Sequence, residues 1–449
     1  MIHFNDNIKP TPVEKYIISP VSNFIGNSAT SGIVLFVAAV LAVIVANSSL
    51  ATSYHHFFEQ TFGFSFNETI YLNMSLHHWI NDGLMAVFFF VVGLELKREI
   101  IGGELSSIRK SALPIAAAVG GMLVPAAIYL MFNAGQASEH GWGIPMATDI
   151  AFALGVLYLL GDRIPNPLKV FLTALAIADD LGAVLVIALF YTEDISIANL
   201  GIGIGFLVIL FMASRIGVRN SMFYGLVGVF GVWLFFLMSG VHATIAAVLL
   251  AFVIPANSRI NEITFSERAR MLLGRFRNLD INNSTPTLTN DQLHILDSIK
   301  KQTDHALTPL QKLEHKLHPF VAFIVLPIFA FANAGVTFSD DMGSQISSPV
   351  ALGVIMGLLI GKVLGIIGIS TLMLKLKIAE LPAGLTKRHL IGVSFLAAIG
   401  FTMSLFVTNL AFKSEEFVVQ AKIGIFIASL LGGFIGYLIL AKTSKSPQY

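Results

Sequence analysis

Five ionisable side chains, Asp82, Asp149, Asp179, Asp180 and Lys362, lie inside stretches that are otherwise apolar. Each such group costs about 3 kcal/mol near a bilayer centre, so a chain that keeps five of them must use them. One lysine can neutralise one carboxylate as a structural ion pair between helices. It cannot absorb three more acids, and surplus buried negative charge is the chemistry of a cation or proton site. In LTALAIADDLGAVLVIALF, the adjacent Asp179 and Asp180 point about 100° apart on a helix, so they need different partners. In GWGIPMATDIAFALG, Gly143 and Pro145 precede Thr148 and Asp149. That order predicts a helix interrupted where a carboxylate can neutralise an exposed N-terminal half-dipole. FLAAIGFTMSLF places Gly400, Thr402 and Ser404 together without a proline to force a break. Lys362 sits beside Gly353, Gly357, Gly361 and Gly365, whose four-residue spacing lets another backbone approach closely.

The elements that must hold these groups are membrane helices. Of 449 residues, 55% are hydrophobic and only 12% charged, against about 25% charged in a soluble domain. At about 20 apolar residues per crossing, the chain reads as an all-α polytopic membrane protein with about twelve transmembrane helices. All but Lys362, Lys413 and Lys422 of the 28 basic residues fall on alternate loops, which places both termini in the cytoplasm. The expected organisation is a cytoplasmic segment at 1–30, helices one to eight over 31–255, a cytoplasmic insert at 256–318, helices nine to twelve over 319–441 and a cytoplasmic tail at 442–449. Residues 51–75 lie outside and carry Phe62, Phe64 and Phe66 before Asn67 and Glu68, the pattern of a small outer β-hairpin. The insert is polar and basic, with helical pieces around Glu262 to Phe276 and Asp291 to Lys301. The fourth and eleventh crossings, each the middle of three in its half, are the expected broken helices. Paired interruptions of this kind point to an inverted-repeat transporter with a midplane site.

The seven segments WINDGLMAVFFFVVGLELKRE, ATDIAFALG, ALAIADDLGA, SGVHAT, FAFANAGV, LIGKVLG and IGFTMS occur in order, each in its expected crossing. With them the sequence resembles the NhaA-type bacterial sodium/proton antiporter family from about Ser31 to Leu440. That family is itself a standard example of inverted-repeat transporters. The resemblance implies electrogenic, pH-regulated exchange of Na+ or Li+ for H+ across the bacterial inner membrane, and the strand edge left by Phe62, Phe64 and Phe66 in the outer hairpin points to a homodimer in the lipid bilayer. It implies that Asp180 is the principal cation-binding carboxylate, with Asp179 its partner in binding Na+ and in the proton cycle. Lys362 resembles the basic partner of Asp179, and Asp149 with Thr148 the compensating group where the broken helices cross. Asp82 matches an acid on the cation pathway. Glu95, Arg98, Glu99, His242, Glu314, His315 and His318 match positions linked to pH response. Two departures stand out: an insert longer than the family's usual form, and Val363 where proline is often found.

Other functions fit the residues less well. The formal charge of +1 gives no field for nucleic acid, and the absence of cysteine removes thiol chemistry. Residues 1–19 lack the apolar core of a signal peptide, so no cleaved leader is expected. No cofactor and no enzymatic activity are expected. An intramembrane aspartic protease needs two acids sharing a proton, which leaves Lys362 unexplained. A plain cation channel would betray itself by uncoupled conductance. A sodium-coupled symporter of an organic solute is the nearest rival, but it calls for a roomier site than Ala, Gly, Thr and Asp provide. The vicinal pairs His55, His56 and His77, His78 diverge and lack a third ligand, so a solvated surface is expected there rather than zinc.

Overall fold

A backbone in hydrocarbon must satisfy its own N–H and C=O groups, and long apolar runs do this by staying helical. The computed structural model describes residues 28–66, 69–192, 195–279, 287–337 and 341–443. Residues 1–27, the expected hairpin turn at Asn67 and Glu68, residues 193–194, 280–286 within the insert, 338–340 and the last six residues lie outside them.

In chain order the helices are α1 (Ser28–Ala46), α2 (Ala51–Glu59), α3 (Met85–Gly102), α4 (Ile108–Asn133), α5 (Ile150–Tyr158), α6 (Asn166–Phe190) and α7 (Ile197–Ile216). They continue as α8 (Ser221–Met238), α9 (Ala243–Val253), α10 (Glu262–Arg277), α11 (Asn290–Ala306), α12 (Pro309–Asn333) and α13 (Pro349–Lys375). The last three are α14 (Lys387–Ala397), α15 (Phe401–Ala411) and α16 (Glu415–Thr443). Eight of the described helices are long and apolar enough to cross a membrane, or up to ten if two bent pairs each count as one span. Two others fall short for plain reasons. Four charged residues, Glu95, Lys97, Arg98 and Glu99, crowd the end of α3, and α9 has only 11 residues. The result is a polytopic membrane bundle. Helix α7 exposes Ile204, Val208, Ile209 and Met212, an apolar surface of the kind that lipid covers.

Two cores divide the bundle. The larger joins α1, α3, α6 and α12 to α16 around Phe89, Phe329 and Phe406, and the smaller joins α7, α8 and α9 around Leu210, Val232 and Phe236. The hairpin is shorter than expected. Its strands, β1 (Thr61–Phe66) and β2 (Thr69–Ser75), pair antiparallel with Phe62 opposite Met74 and Phe64 opposite Tyr71, and the register shifts between Phe62 and Phe64. The preceding residues 51–59 form α2, which the bundle anchors through Tyr54 Oη donating to the Phe331 carbonyl at 2.5 Å. At the opposite end of the bundle the insert forms a helical pair. Helix α10 is capped by Asn261, α11 opens on a Thr289/Gln292 capping box, and Arg268 reaches Gln302 at 3.1 Å. Lys312, 2.6 Å from Asp304, holds that exposed carboxyl below its ordinary range. The tie is therefore present at neutral pH and lost on acidification.

Four π-helical segments interrupt the regular winding among the described residues: Trp79–Leu84, Gly228–Trp233, Val321–Val325 and Gly357–Gly361. Such insertions re-aim the side chains that follow, and the last ends immediately before Lys362. The glycine stripe performs the packing expected of it. Gly361 faces the backbone of Pro125 on α4, and Gly365 faces the backbone of Gly120. A Cβ at Gly365 would overlap the Gly120 carbonyl, whereas one at Gly368 meets nothing. Gly365→Val should therefore lower thermal stability in detergent by about 1–3 kcal/mol, and Gly368→Ala should leave it unchanged or raise it slightly. Equal melting temperatures for Gly365→Val and the parent would refute the close α4–α13 contact.

Candidate functional site: a buried charge cluster at two helix breaks

Two chain breaks meet inside the bundle. The 3-10 segment Glu139–Met146 gives way to non-helical backbone at 147–149 before α5 begins. Helix α14 ends at Ala397, and α15 starts at Phe401 after a bend of 44°. The breaks touch: the Asp149 N–H donates to the Ile399 carbonyl at 2.7 Å. Gly400 makes this approach possible, because a Cβ there would stand 3.0 Å from the Ala147 carbonyl.

Each break exposes helix ends that have no water to bond them. Asp149, 1% exposed, serves two N-termini at once. Its Oδ1 accepts from the Phe152 N–H of α5 at 2.9 Å, and its Oδ2 accepts from the Thr402 N–H of α15 at 2.9 Å and from the Thr402 hydroxyl at 2.5 Å. The C-terminal ends receive donors. Thr148 Oγ1 donates to the Ala397 carbonyl at 2.9 Å, and Lys362 Nζ donates to the Met146 carbonyl. Negative charge thus sits at the positive ends and donors at the negative ends, as the macrodipole requires. Ser404 adds a tether by donating to the Ile144 carbonyl at 2.8 Å.

Helix α6 brings in the adjacent pair. Asp179 Oδ2 lies 2.6 Å from Lys362 Nζ, with both side chains fully buried, and Thr148 flanks the same carboxylate. Asp180, one residue on, faces elsewhere. It is 1% exposed, and neither of its carboxylate oxygens accepts a hydrogen bond. Asp179, Asp149, Lys362 and Glu95 all act on it electrostatically. A buried carboxylate without donors is neutralised either by a proton or by a cation, and an all-oxygen donor suits a hard cation.

The remaining candidates fall into separate groups. At the insert end, Arg98 bridges Glu99 at 3.0 Å and Glu314 at 2.9 Å, His318 stands 4.0 Å from Glu95, and His315 acts on Glu314. His242 is not among them; its Nε2 meets the Tyr191 carbonyl at 2.9 Å. Asp82, expected deep in a crossing, pairs with His78 at 2.9 Å toward the hairpin end. Thr402, noted in the sequence beside Gly400 and Ser404 but given no role there, ties the second break to Asp149. Its signal was a hydroxyl two residues after Gly400, at the start of a helix.

An all-helical bundle that encloses acids and a lysine at helix breaks defines a polytopic membrane protein with an intramembrane charge site. The chain belongs to the Na+/H+ antiporter 1 family, which it matches over residues 22–440. It is 49% identical to the Na+/H+ antiporter NhaA of Oleidesulfovibrio alaskensis over 96% of this chain and 95% of that one. The corresponding figures are 48%, 93% and 92% for the Na+/H+ antiporter NhaA of Wolinella succinogenes, and 46%, 98% and 98% for that of Helicobacter pylori.

Removing Lys362 would strand Asp179 as a lone buried charge, whereas Asp180→Asn removes a charge and breaks no hydrogen bond. Lys362→Ala should therefore lower stability by about 3–5 kcal/mol, and Asp180→Asn by clearly less. Thermal unfolding in detergent measures both, and an unshifted melting temperature for Lys362→Ala would contradict the pairing.

Proposed function

We propose that the chain exchanges Na+ or Li+ for H+ across the bacterial inner membrane, with cation and proton competing for Asp180. The observation that carries this reading is a fully buried carboxylate to which the protein gives no hydrogen-bond donor. In that setting a proton and a small hard cation are alternative neutralisers of one charge, and arrival of either displaces the other. Asp179 is the second acid of the cycle. Its proton and the Lys362 ion pair are alternatives of the same kind, so two acids can release protons while one cation binds, which makes the exchange electrogenic. Asp149 and Thr148 hold the crossing together as the site changes occupancy. The names of the relatives, all Na+/H+ antiporters, support the same reading. Symport of an organic solute finds no support.

The architecture proposed is twelve crossings with the fourth and eleventh interrupted. The eight spans by length, the apolar α1, the bent α14–α15 pair, the charge-ended α3 and the short α9 together support that number. Both termini and the insert lie in the cytoplasm, and the hairpin end lies outside. The hairpin's free edges suit pairing with a second copy, giving a homodimer. Asp82 lies on the cation route. Regulation by pH uses Glu95, Arg98, Glu99, Glu314, His315 and His318 at the insert end, with His242 acting separately. Glu95 carries the link, because it acts electrostatically on Asp180.

The test is purified protein in liposomes under an imposed pH gradient, scanned with Na+, Li+, K+ and organic solutes. Na+ and Li+ should collapse the gradient, and Asp180→Asn should abolish the response while remaining folded. Wild-type rates in Asp180→Asn would overturn the assignment, and uncoupled conductance would identify a channel instead. Replacing residues 259–308 by a short Gly-Ser linker should leave exchange measurable while moving its pH profile. Loss of exchange in a folded deletion would place the insert in the coupling machinery.

A further inference from the structure

A second buried polar cluster lies at the hairpin end, where none of the exchange steps above uses it. Asn333, 0% exposed at the end of α12, is its centre. Its Oδ1 accepts from Asn409 Nδ2 of α15 at 2.6 Å and meets His77 Nε2 at 2.8 Å. Its Nδ2 donates to Asn81 Oδ1 at 3.0 Å and to the Phe329 carbonyl at 2.9 Å. Asn81 Nδ2 closes the ring on His77 Nδ1 at 3.4 Å.

Donor and acceptor counting fixes the state of the histidine. The Phe329 carbonyl can only accept, so the nitrogen of Asn333 must face it and the oxygen must face His77 and Asn409. That nitrogen in turn requires the oxygen of Asn81, which leaves the Asn81 amide nitrogen facing His77 Nδ1. His77 is therefore the neutral tautomer with its proton on Nε2, and Nδ1 must accept. A second proton would set an N–H against an N–H₂ and turn the closing bond into a repulsion. Among the charged neighbours only Asp82 favours a second proton, and Lys422 and His78 oppose it. The charged and titratable groups that face His77 are Lys422 of α16 and, from its own segment, His78 and Asp82. The latter two are spent on each other at 2.9 Å. Helix α12 presents the neutral Asn333 to His77, and α15 backs it with the neutral Asn409.

We infer that His77, Asn81, Asn333 and Asn409 form a gate at the hairpin end of the bundle, held shut by neutral His77 and released by protons from that side. This rests on the exchanger reading. The cluster clamps the far end of α15, whose near end carries Thr402 on Asp149. Eleven residues make that helix about 16 Å long, so freeing its far end lets it tilt about the break at 398–400 and opens a route toward the charge cluster. Asn81 lies in a π-helical segment in which the Met85 N–H bonds back to the Ile80 carbonyl. Such segments occur frequently at functional sites. The device is distinct from the ionic group around Arg98 at the other end, so the two faces would read their own pH separately.

The absence of native cysteine makes the test direct. Leu405, 0% exposed, lies four residues inward of Asn409 on the same helix face. Leu405→Cys would be labelled with a membrane-impermeant maleimide in vesicles whose hairpin end faces out. Rates would be normalised at each pH to an exposed control, Gln60→Cys. The normalised rate should rise about tenfold or more between about pH 8 and about pH 5 outside, with inside pH held constant. His77→Gln supplies one amide donor and one acceptor without a titrating ring, so in that background the rate should stay low throughout. Asn333→Leu should label at every pH. A rate for Leu405→Cys that does not change with outside pH, or a His77→Gln profile like that of the parent, would overturn the gate. Gradient collapse by Na+, measured on the same vesicles, tests the exchanger reading separately, because labelling does not depend on turnover.

Discussion

Four helix ends meet inside this bundle out of reach of water, and the protein must satisfy all of them itself. That constraint orders the site more than any single charge does. A helix end in hydrocarbon leaves backbone groups unpaired, and the ends here come in two signs. Asp149 answers both N-termini, while Thr148 and Lys362 answer the C-terminal ends. Lys362 is thereby committed twice, to a backbone carbonyl and to Asp179, and Asp149 three times. The one acid left uncommitted is Asp180. Asp179 also keeps one oxygen, Oδ1, without a donor, but Lys362 holds its Oδ2, whereas Asp180 has a donor on neither oxygen.

Much of this was legible in the residues. Charges in apolar surroundings marked all four members of the cluster, since no other reason keeps an aspartate or a lysine there. Gly143 and Pro145 marked the first break because both weaken a helix. The lysine–aspartate pairing followed from one base among several acids. Other features were hidden because they depend on approach between distant segments. Nothing near Thr402 in sequence says that its N–H will face Asp149, 253 residues away. The apolar flanks of Asp82 say nothing of a partner, and its carboxylate meets His78, one turn earlier, at 2.9 Å. The hairpin reading rested on Phe62, Phe64 and Phe66, a pattern that says nothing of 51–59, and residues 51–59 form α2.

The two ends of the bundle are built from different chemistry. At the insert end, acids and an arginine interlock through charge, so their geometry answers to ionisation of several groups together. At the hairpin end, amides and one imidazole interlock through a strict sequence of donors and acceptors. Charge pairs tolerate displacement because Coulomb attraction falls slowly with distance, whereas a saturated amide ring fails when one member changes its proton count. The first arrangement yields by degrees, and the second holds or breaks as a unit.

The contact of α13 with α4 through bare backbone also settles which parts can serve as a reference. Side chains that interdigitate can repack by changing rotamers, but backbone against backbone has no rotamers to change. Where Gly361 and Gly365 lie on Pro125 and Gly120, the two helices are joined as one beam, and Lys362 rides on it between the two contacts. Any displacement during a transport cycle is then measured from the lysine, which acts as a fulcrum, and the lever arms are the short helices on either side of the breaks.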